Sequence, residues 1–399
     1  MKNRFNTRIS LKGILIIFIL ATVLTGADLS AQTYSEGSSY FGRNNYIEYM
    51  CGGLPLIISV PHGGNLTPSE IPDRTCGTTV TDSYTMELSL ELRDEIYDIT
   101  GRYPHVIINH LKRIKLDANR DLYEATCGDA EAAIAWEEYH KFIDSAKFYV
   151  TDTYNKGLFI DLHGQSSHGE RIELGYMLTG EDLRQSDATL NTPAYENKSS
   201  IRNLVTDNVN NFSFSGLLRG DYALGTMLED EAYTTIPSLE NEYPVDAYFS
   251  GGYNTERHGS KDGGTIDAIQ MECNRQIRFD ESDRLAFAGD LAGILLAYLK
   301  KHYFPNIEDF YDNGTGIEYP ENTGTRFFPN PAYERIVVET EKPVEMKIYS
   351  LAGQLVFSSS VNSGRVVHLK GLNKGFYLVV FSEKGIVTSK EKLIINQDN

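Results

Sequence analysis

Two histidines and a glutamate stand at the ends of three apolar, strand-like runs. They are His62 in LPLIISVPHGG, His163 in GLFIDLHG and Glu272 in TIDAIQMEC. Open α/β sheets build their sites at the carboxyl ends of their strands. Imidazole and carboxylate groups that meet at such an edge suit a metal-dependent hydrolase, in which a cation activates water and a carboxylate moves protons.

A metal centre on His62 and His163 needs a third protein ligand, because open catalytic zinc sites commonly use three. Asp82 and Glu87 follow the His62 loop, and we expect Asp82; its alternative role is to cap the next helix. Asp161 precedes His163 by two residues, so strand alternation puts both on one face and the carboxylate can orient the imidazole. A buried Asp–His hydrogen bond without a metal is the competing interpretation.

Glu272 is the candidate acid–base group. A carboxylate that ends an apolar strand is costly to bury without a task or a partner. Beside a metal-activated water it would accept a proton and then pass it to the leaving nitrogen. The alternative is a structural ion pair with Arg275 or Arg120.

Asn119 and Arg120 are candidates for binding a substrate carboxylate. They occur in the segment KLDANRD, which follows another strand-like run. An arginine can hold a carboxylate through two parallel hydrogen bonds, and the neighbouring amide can steady the same group. The alternative to substrate binding by Arg120 is a structural ion pair with Asp121 or Glu124, and the sequence favours neither role.

Strand-like and helical patterns alternate between residues 39 and 303, which predicts an α/β sheet. The predicted elements are helices at 82–100, 129–150 and 281–302 and a strand at 105–109. The polar stretch 179–215 is expected to be an insertion or a lid around one helix.

The C-terminal part of the chain reads as a separate unit. A loop-like linker is expected at 304–325, and short alternating segments then predict a small β-sandwich at 326–399. Its segments FPNPA, IYSLAGQ and LNKGFYL resemble the C-terminal sorting domain of type IX secretion. The resemblance implies that the type IX machinery carries the protein across the outer membrane, and leaves open whether this domain is then removed.

The N-terminus predicts export. Lys2, Arg4, Arg8 and Lys12 precede the apolar run ILIIFILATVL and small residues, so 1–31 is expected to be a secretory signal peptide. This run is short for a membrane span, and no transmembrane segment is expected after its removal. The formal charge of −18 argues against binding to nucleic acid or to anionic lipid.

The chain contains four cysteines: Cys51, Cys76, Cys127 and Cys273. In an exported protein they permit two disulfides in more than one connectivity. Their spacing matches no compact zinc-binding pattern. Cys273 alternates with Glu272 along its strand and is expected to be a small buried residue on the opposite face.

The order of these motifs resembles the N-formylglutamate amidohydrolase family over most of residues 40–303. The motifs are VPHGG, an aspartate before a helix, NRD, DLHG and a glutamate before Asn274-Arg275. The resemblance implies a phosphorylase/hydrolase-like three-layer α/β sandwich with a mostly parallel sheet. It also implies one divalent metal, expected to be zinc, and cleavage of an N-acyl amide on an acidic amino acid.

Residue roles carry over by position. The resemblance implies metal ligation by His62, His163 and Asp82, acid–base catalysis by Glu272, and carboxylate binding by Arg120 and Arg275. Three hypotheses remain because fold does not fix function. They are a secreted amidohydrolase acting on an N-acyl amino acid or peptide, a cell-wall amidase or carboxypeptidase acting on peptidoglycan peptides, and a catalytically inactive surface-binding module.

Overall fold

The computed structural model describes residues 34–312, 325–330, 332–350, 354–384 and 386–395. The predicted signal peptide at 1–31 lies outside the described residues, as do 313–324 of the predicted linker and 351–353 of the IYSLAGQ motif. Within the described ranges, no helix has the length and apolar character needed to cross a membrane.

An eight-stranded, mostly parallel sheet organises the first part of the described chain. Its strands are β1 (Ser39–Phe41), β2 (Ile47–Met50), β3 (Leu56–Val60), β4 (His105–Asn109), β5 (Gly157–Gly164), β6 (Ile172–Gly175), β7 (Thr235–Ile236) and β8 (Ile266–Cys273). Their spatial order is β1-β2-β4-β3-β5-β8-β6-β7. The central strands β4, β3, β5 and β8 are parallel neighbours. They are buried along almost their whole length, which explains their continuous apolar runs.

Helices connect and cover the strands. They are α1 (Thr85–Thr100), α2 (Leu122–Thr126), α3 (Ala130–Tyr154), α4 (Gly180–Leu183), α5 (Asp187–Leu190), α6 (Pro193–Glu196), α7 (Arg202–Thr206), α8 (Phe214–Arg219), α9 (Leu224–Asp230), α10 (Tyr253–His258), α11 (Gln276–Phe279) and α12 (Glu281–His302). Short 3-10 turns lie at Arg43–Asn45 and Ile307–Phe310. Together the sheet and helices bury one large hydrophobic core.

The long helices follow the predicted pattern. Helix α12 has the predicted bounds, and Asp280 caps its first turn. Helix α1 begins three residues later than expected, at Thr85, and ends at Thr100, where the C-cap Gly101 has a φ of 69° that suits glycine. Helix α3 runs four residues past its predicted end, to Tyr154, because Tyr154 is still buried in the core.

The expectation of one helix within 179–215 is wrong. The structure has five short helices there, α4 to α8, although the last runs on to Arg219. Thr179, Ser186 and Ser213 each accept a hydrogen bond from a backbone N–H at the start of a helix. Closely spaced capping residues divide the chain into single turns because each one favours a new helix start.

The main core continues beyond the predicted domain end at residue 303. Phe304 and Ile307 are buried in it, and Phe310 packs against it. The described residues up to 312 therefore belong with the α/β part, and the predicted linker start at 304 is too early.

The C-terminal part forms two antiparallel sheets. Its strands are β9 (Arg326–Phe328), β10 (Arg335–Glu339), β11 (Val344–Ser350), β12 (Leu355–Val361), β13 (Arg365–His368), β14 (Gly375–Glu383) and β15 (Ile386–Ile395). One sheet has the order β13-β10-β9 and the other β12-β11-β14-β15. Side chains from both sheets share one hydrophobic cluster, which is separate from the main core.

One disulfide is present among the four cysteines. It joins Cys76 to Cys127, whereas Cys51 and Cys273 are free and buried. The second disulfide that four cysteines would permit is therefore not formed. Cys273 has the predicted character of a buried small residue. The disulfide ties the loop that leads to Asp82 to the end of α2.

This disulfide should contribute measurably to stability. Replacing Cys76 and Cys127 by serine should lower the free energy of unfolding by about 2–4 kcal/mol, because the bond closes a long loop of the unfolded chain. Urea titrations measure the loss. Dithiothreitol should lower the unfolding midpoint of the parent protein and leave the double variant unchanged. An equal response of both proteins to the reductant would contradict the prediction.

Candidate metal centre

Three side chains converge at the carboxyl edge of the sheet. His62 lies in the loop after β3, Asp82 lies just before α1, and His163 lies near the end of β5. His62 Nδ1 is 3.2 Å from both Asp82 Oδ2 and His163 Nδ1, and His163 Nδ1 is 3.1 Å from Asp82 Oδ2. All three residues are buried. The sheet thus brings together residues from distant parts of the chain.

A carboxylate holds the far nitrogen of each imidazole. His62 Nε2 lies 2.6 Å from Asp117 Oδ1, and His163 Nε2 lies 2.8 Å from Asp161 Oδ2. An ionised carboxylate can only accept, so both Nε2 atoms carry the proton. In the neutral form of each ring, Nδ1 therefore presents a lone pair toward Asp82. Orientation of imidazoles by carboxylates is usual for metal-binding histidines.

The three converging atoms fit a metal ion. Two imidazole lone pairs and a carboxylate oxygen repel one another unless a positive charge lies among them. The ligand atoms of a tetrahedral zinc with bonds of about 2.0 Å lie about 3.3 Å apart. The observed separations of 3.1–3.2 Å match this spacing. His62, Asp82 and His163 are the one group with ligand atoms so placed among the described residues.

Asp82, and not Glu87, completes this group. The competing cap role of Asp82 is not observed, since α1 begins at Thr85 and has Tyr84 at its N-cap. The Asp82 carboxylate instead faces both histidines and accepts a hydrogen bond from the backbone N–H of Gly164 at 3.3 Å.

Negative charge predominates around the three atoms. The buried charged side chains in this cluster are Asp82, Asp117, Asp161 and Glu272, with Arg74 and Arg113 as cationic partners. Burial alone would lower the pKa of His163, but Asp161 and Asp82 hold this pKa well above its ordinary value. The cluster therefore favours an added positive charge, which either a proton on His163 Nδ1 or a bound cation would supply.

Glu272 lies beside the three atoms. Its Oε1 is 4.0 Å from His163 Nδ1, and it accepts a hydrogen bond from Gln270 Nε2 at 2.9 Å. Burial raises the pKa of Glu272 to about 7; His163 opposes this shift, and the Asp82 carboxylate adds to it. The alternative ion pair with Arg275 or Arg120 is not present. A carboxylate with such a pKa can both take up and release a proton near neutral pH.

A cavity of about 360 Å³ opens onto this group of side chains. The predicted site residues that line it are His62, Asp82, Asn119, Arg120, His163 and Glu272. Arg275 is not among the lining residues, and its guanidinium lies 4.1 Å from the centre of the Phe279 ring. The structure therefore brings together every predicted site residue except Arg275.

Asn119 and Arg120 occupy different positions at this cavity. Asn119 is buried, and its Oδ1 accepts a hydrogen bond from the backbone N–H of Asn254 at 2.7 Å. Its Nδ2 lies 3.2 Å from His163 Nε2, but both are donors, so the amide N–H groups remain available to a ligand. Arg120 is one-third exposed and pairs with Glu124 at 3.2 Å, as its structural alternative predicts.

Sequence reasoning missed two members of the cluster. Asp117 could have been noticed, because Leu116 and Ala118 flank it and an aspartate between buried apolar residues needs a partner. The sequence around Arg113 gives no comparable indication that this residue belongs to the site. Arg113 bridges Asp117 Oδ2 at 2.9 Å and Asp82 Oδ1 at 3.5 Å, contacts that depend on how the loop folds back.

The C-terminal part of the chain matches a known protein family. Residues 326–396 match the family model of the secretion system C-terminal sorting domain. The match confirms the resemblance drawn from the FPNPA, IYSLAGQ and LNKGFYL segments. No curated protein matches the chain significantly.

Solved structures resemble this chain at low identity. N-formylglutamate amidohydrolase from Ralstonia eutropha JMP134 is 13% identical with a TM-score of 0.39, covering 61% of this chain and 92% of that one. A gene product of Agrobacterium tumefaciens is 12% identical with a TM-score of 0.38, covering 64% and 95%. Succinylglutamate desuccinylase from Chromobacterium violaceum is 9% identical with a TM-score of 0.29, covering 65% and 70%.

Proposed function

We propose that the α/β part, expected at residues 39–303, is a metal-dependent amidohydrolase that cleaves an N-acyl amide on an acidic amino acid or peptide. One observation carries the proposal. The Nδ1 atoms of His62 and His163 and Asp82 Oδ2 face one another at 3.1–3.2 Å, with a carboxylate behind each imidazole. We assign the fold to the phosphorylase/hydrolase-like three-layer class.

The donor set favours zinc as the metal. Two imidazole nitrogens and one carboxylate oxygen are the ligands of many catalytic zinc sites, which leave a fourth position open. Zinc held by these three ligands would polarise a carbonyl group of the substrate and lower the pKa of a bound water to about 7. His62, Asp82 and His163 would hold the ion, and Asp117 and Asp161 would hold the two rings.

Glu272 would move the protons of the reaction. Its carboxylate lies next to the ligand atoms without belonging to their triangle. The ionised form would take a proton from the attacking water, and the protonated form would give it to the leaving nitrogen. The hydrogen bond from Gln270 holds one carboxylate oxygen in place for this role.

Arg120 and Asn119 would bind the substrate carboxylate. Arg120 lines the cavity, and its only salt bridge within the described part of the chain is the half-exposed one to Glu124. A substrate carboxylate could replace Glu124 there, because exposed pairs of this kind contribute little stability. Asn119 lines the same cavity. Arg275 retains no role in this proposal, because it does not line the cavity.

The proposal places the enzyme outside the cell or on its surface. The C-terminal match to a secretion sorting domain supports export, and the basic and apolar pattern at 1–31 supports a signal peptide. Type IX secretion is the expected route.

A substrate screen tests the proposed activity. Purified protein, stripped with a chelator and reloaded with zinc, is incubated with N-acyl glutamates, N-acyl aspartates and purified muropeptides. We expect zinc-dependent release of the free amino acid from an N-acylated acidic amino acid. Cleavage of muropeptides alone would favour the cell-wall amidase hypothesis. Ligand binding without turnover of any amide would favour the inactive binding module.

The carboxylates behind the histidines should control metal affinity. Asp117→Asn and Asp161→Asn should each weaken zinc binding about 10- to 100-fold, because the rings lose the charge that orients them and raises their basicity. Competition with a chromophoric chelator measures the change. Asp187→Asn, which disturbs an ion pair with Arg219, is the control and should bind zinc normally. Parent-like affinity in both test variants would exclude this role.

A further inference from the structure

Arg278 contacts the main chain of three separate segments around the site. It lies in α11 and is 2% exposed. Its Nη1 donates to the carbonyl of Ser83, and its Nη2 donates to that of Gln165 at 3.2 Å. Its Nε is shared between the carbonyls of Cys273 at 3.1 Å and Asn274 at 3.2 Å.

Each contacted segment carries a proposed functional side chain. Ser83 directly follows Asp82, Gln165 comes two residues after His163, and Cys273 directly follows Glu272. One guanidinium group therefore joins the segments of two proposed metal ligands and of the acid–base group. The hydrogen bonds of the Arg278 guanidinium go to these carbonyls, and its charge also interacts with the nearby Asp82 and Glu272 carboxylates.

The guanidinium is packed tightly in this position. A Cβ atom on Gly164 would lie 2.3 Å from Arg278 Cζ, so the group rests against the chain directly after His163. The backbone of Arg278 is also held, because Arg284 Nη1 donates to its carbonyl at 3.0 Å. Arg284 in turn binds Glu91 of α1 at 2.9–3.0 Å.

We infer that Arg278 is a positioning residue that sets the distances among Asp82, His163 and Glu272. The inference rests on the metal centre of the proposed function. A planar guanidinium directs its N–H groups along several fixed directions, whereas a lysine ammonium is a single point on a flexible stem. Lysine cannot reach all three segments at once. Because a misplacement of about 1 Å can cost about 100-fold in rate, loss of this link should disturb the site.

Cobalt-substituted protein tests the inference through a signal other than activity. The visible absorption of bound cobalt reports its ligand geometry, and we compare the parent with Arg278→Ala and Arg278→Lys. Both variants should change this spectrum and bind cobalt about 10-fold more weakly. For any amide that the parent cleaves, kcat should fall about 100-fold with little change in KM. Guanidinium ion, added below denaturing concentration, should partly restore the spectrum of Arg278→Ala.

Arg219→Ala is the matched control. Arg219 is also buried and donates to main-chain carbonyls, those of Leu183 at 2.7 Å and Gln185 at 3.0 Å, but it does not line the proposed site. Its variant should lose thermal stability and keep the parent cobalt spectrum and kcat.

A folded Arg278→Lys variant with parent spectrum, cobalt affinity and kcat would overturn the inference. Equal spectral changes in Arg219→Ala would overturn it as well, since the effect would then be general. If Arg278→Ala does not fold, the lysine variant decides. A parent protein that binds cobalt but cleaves no amide would refute the proposed function alone, and the spectra would still decide the role of Arg278.

Discussion

Replacing His163 with alanine is expected to abolish both metal retention and amide hydrolysis. His163 supplies one atom of the converging triangle, and its Nδ1 lies within 3.1–3.2 Å of the other two. The loss of a group that merely orients a ligand weakens metal binding by about 10- to 100-fold, so loss of a ligand should exceed that range. Metal analysis after gel filtration gives the retained zinc, and release of amino acid gives the activity.

The control for this experiment is His110→Ala. His110 is a partly buried histidine that pairs with Glu48 at 2.9 Å and does not line the cavity. Its variant should retain zinc and activity. If His163→Ala folds, keeps one zinc per chain and still turns over substrate, the metal mechanism proposed above is wrong.

Glu272→Gln should separate metal binding from catalysis. The variant should retain zinc, because the nearest Glu272 oxygen lies 4.0 Å from His163 Nδ1 and outside the group of ligand atoms. Its kcat should fall about 10²- to 10⁴-fold, the usual contribution of a positioned acid–base group, with a much smaller change in KM. Glutamine has nearly the same size and cannot accept and return the proton.

Steady-state kinetics of zinc-loaded protein give kcat and KM, and metal analysis gives occupancy. Glu229→Gln is the control, since Glu229 is a partly buried acid that pairs with Asn241 away from the cavity. Loss of zinc from Glu272→Gln would show that Glu272 is a metal ligand and not an acid–base group. An unchanged kcat would show that a residue other than Glu272 transfers the protons.

Much of the fold could be predicted from local patterns. The bounds of α12 and of β4 agree with the prediction, because apolar periodicity and the capping residues that flank an element act over short distances. The five short helices from α4 to α8 could not be read in this way. Their polar sequence carries little periodicity, and their positions depend on burial of single residues such as Leu183, Leu190 and Leu204.

The candidate site was predictable only in part. His62, His163 and Glu272 end buried strands, so parallel pairing necessarily brings them to one edge. Asp82 and Glu87 both follow the His62 loop in sequence, and the path of the chain before α1 decides between them. The predicted carboxylate-binding role of Arg275 is not supported, because its side chain turns toward Phe279.

The sequence by itself determined the alternation of strands and helices, the strand ends that carry histidine and glutamate, and the C-terminal segment that matches a sorting domain. These features depend on side-chain type and short spacing. Only the tertiary structure decided the pairing of Cys76 with Cys127, the placement of Asp117 behind His62, and the contact of Arg278 with Ser83. These contacts join residues 51 to 195 positions apart, and which distant groups meet is set by packing of the whole chain and not by local preference.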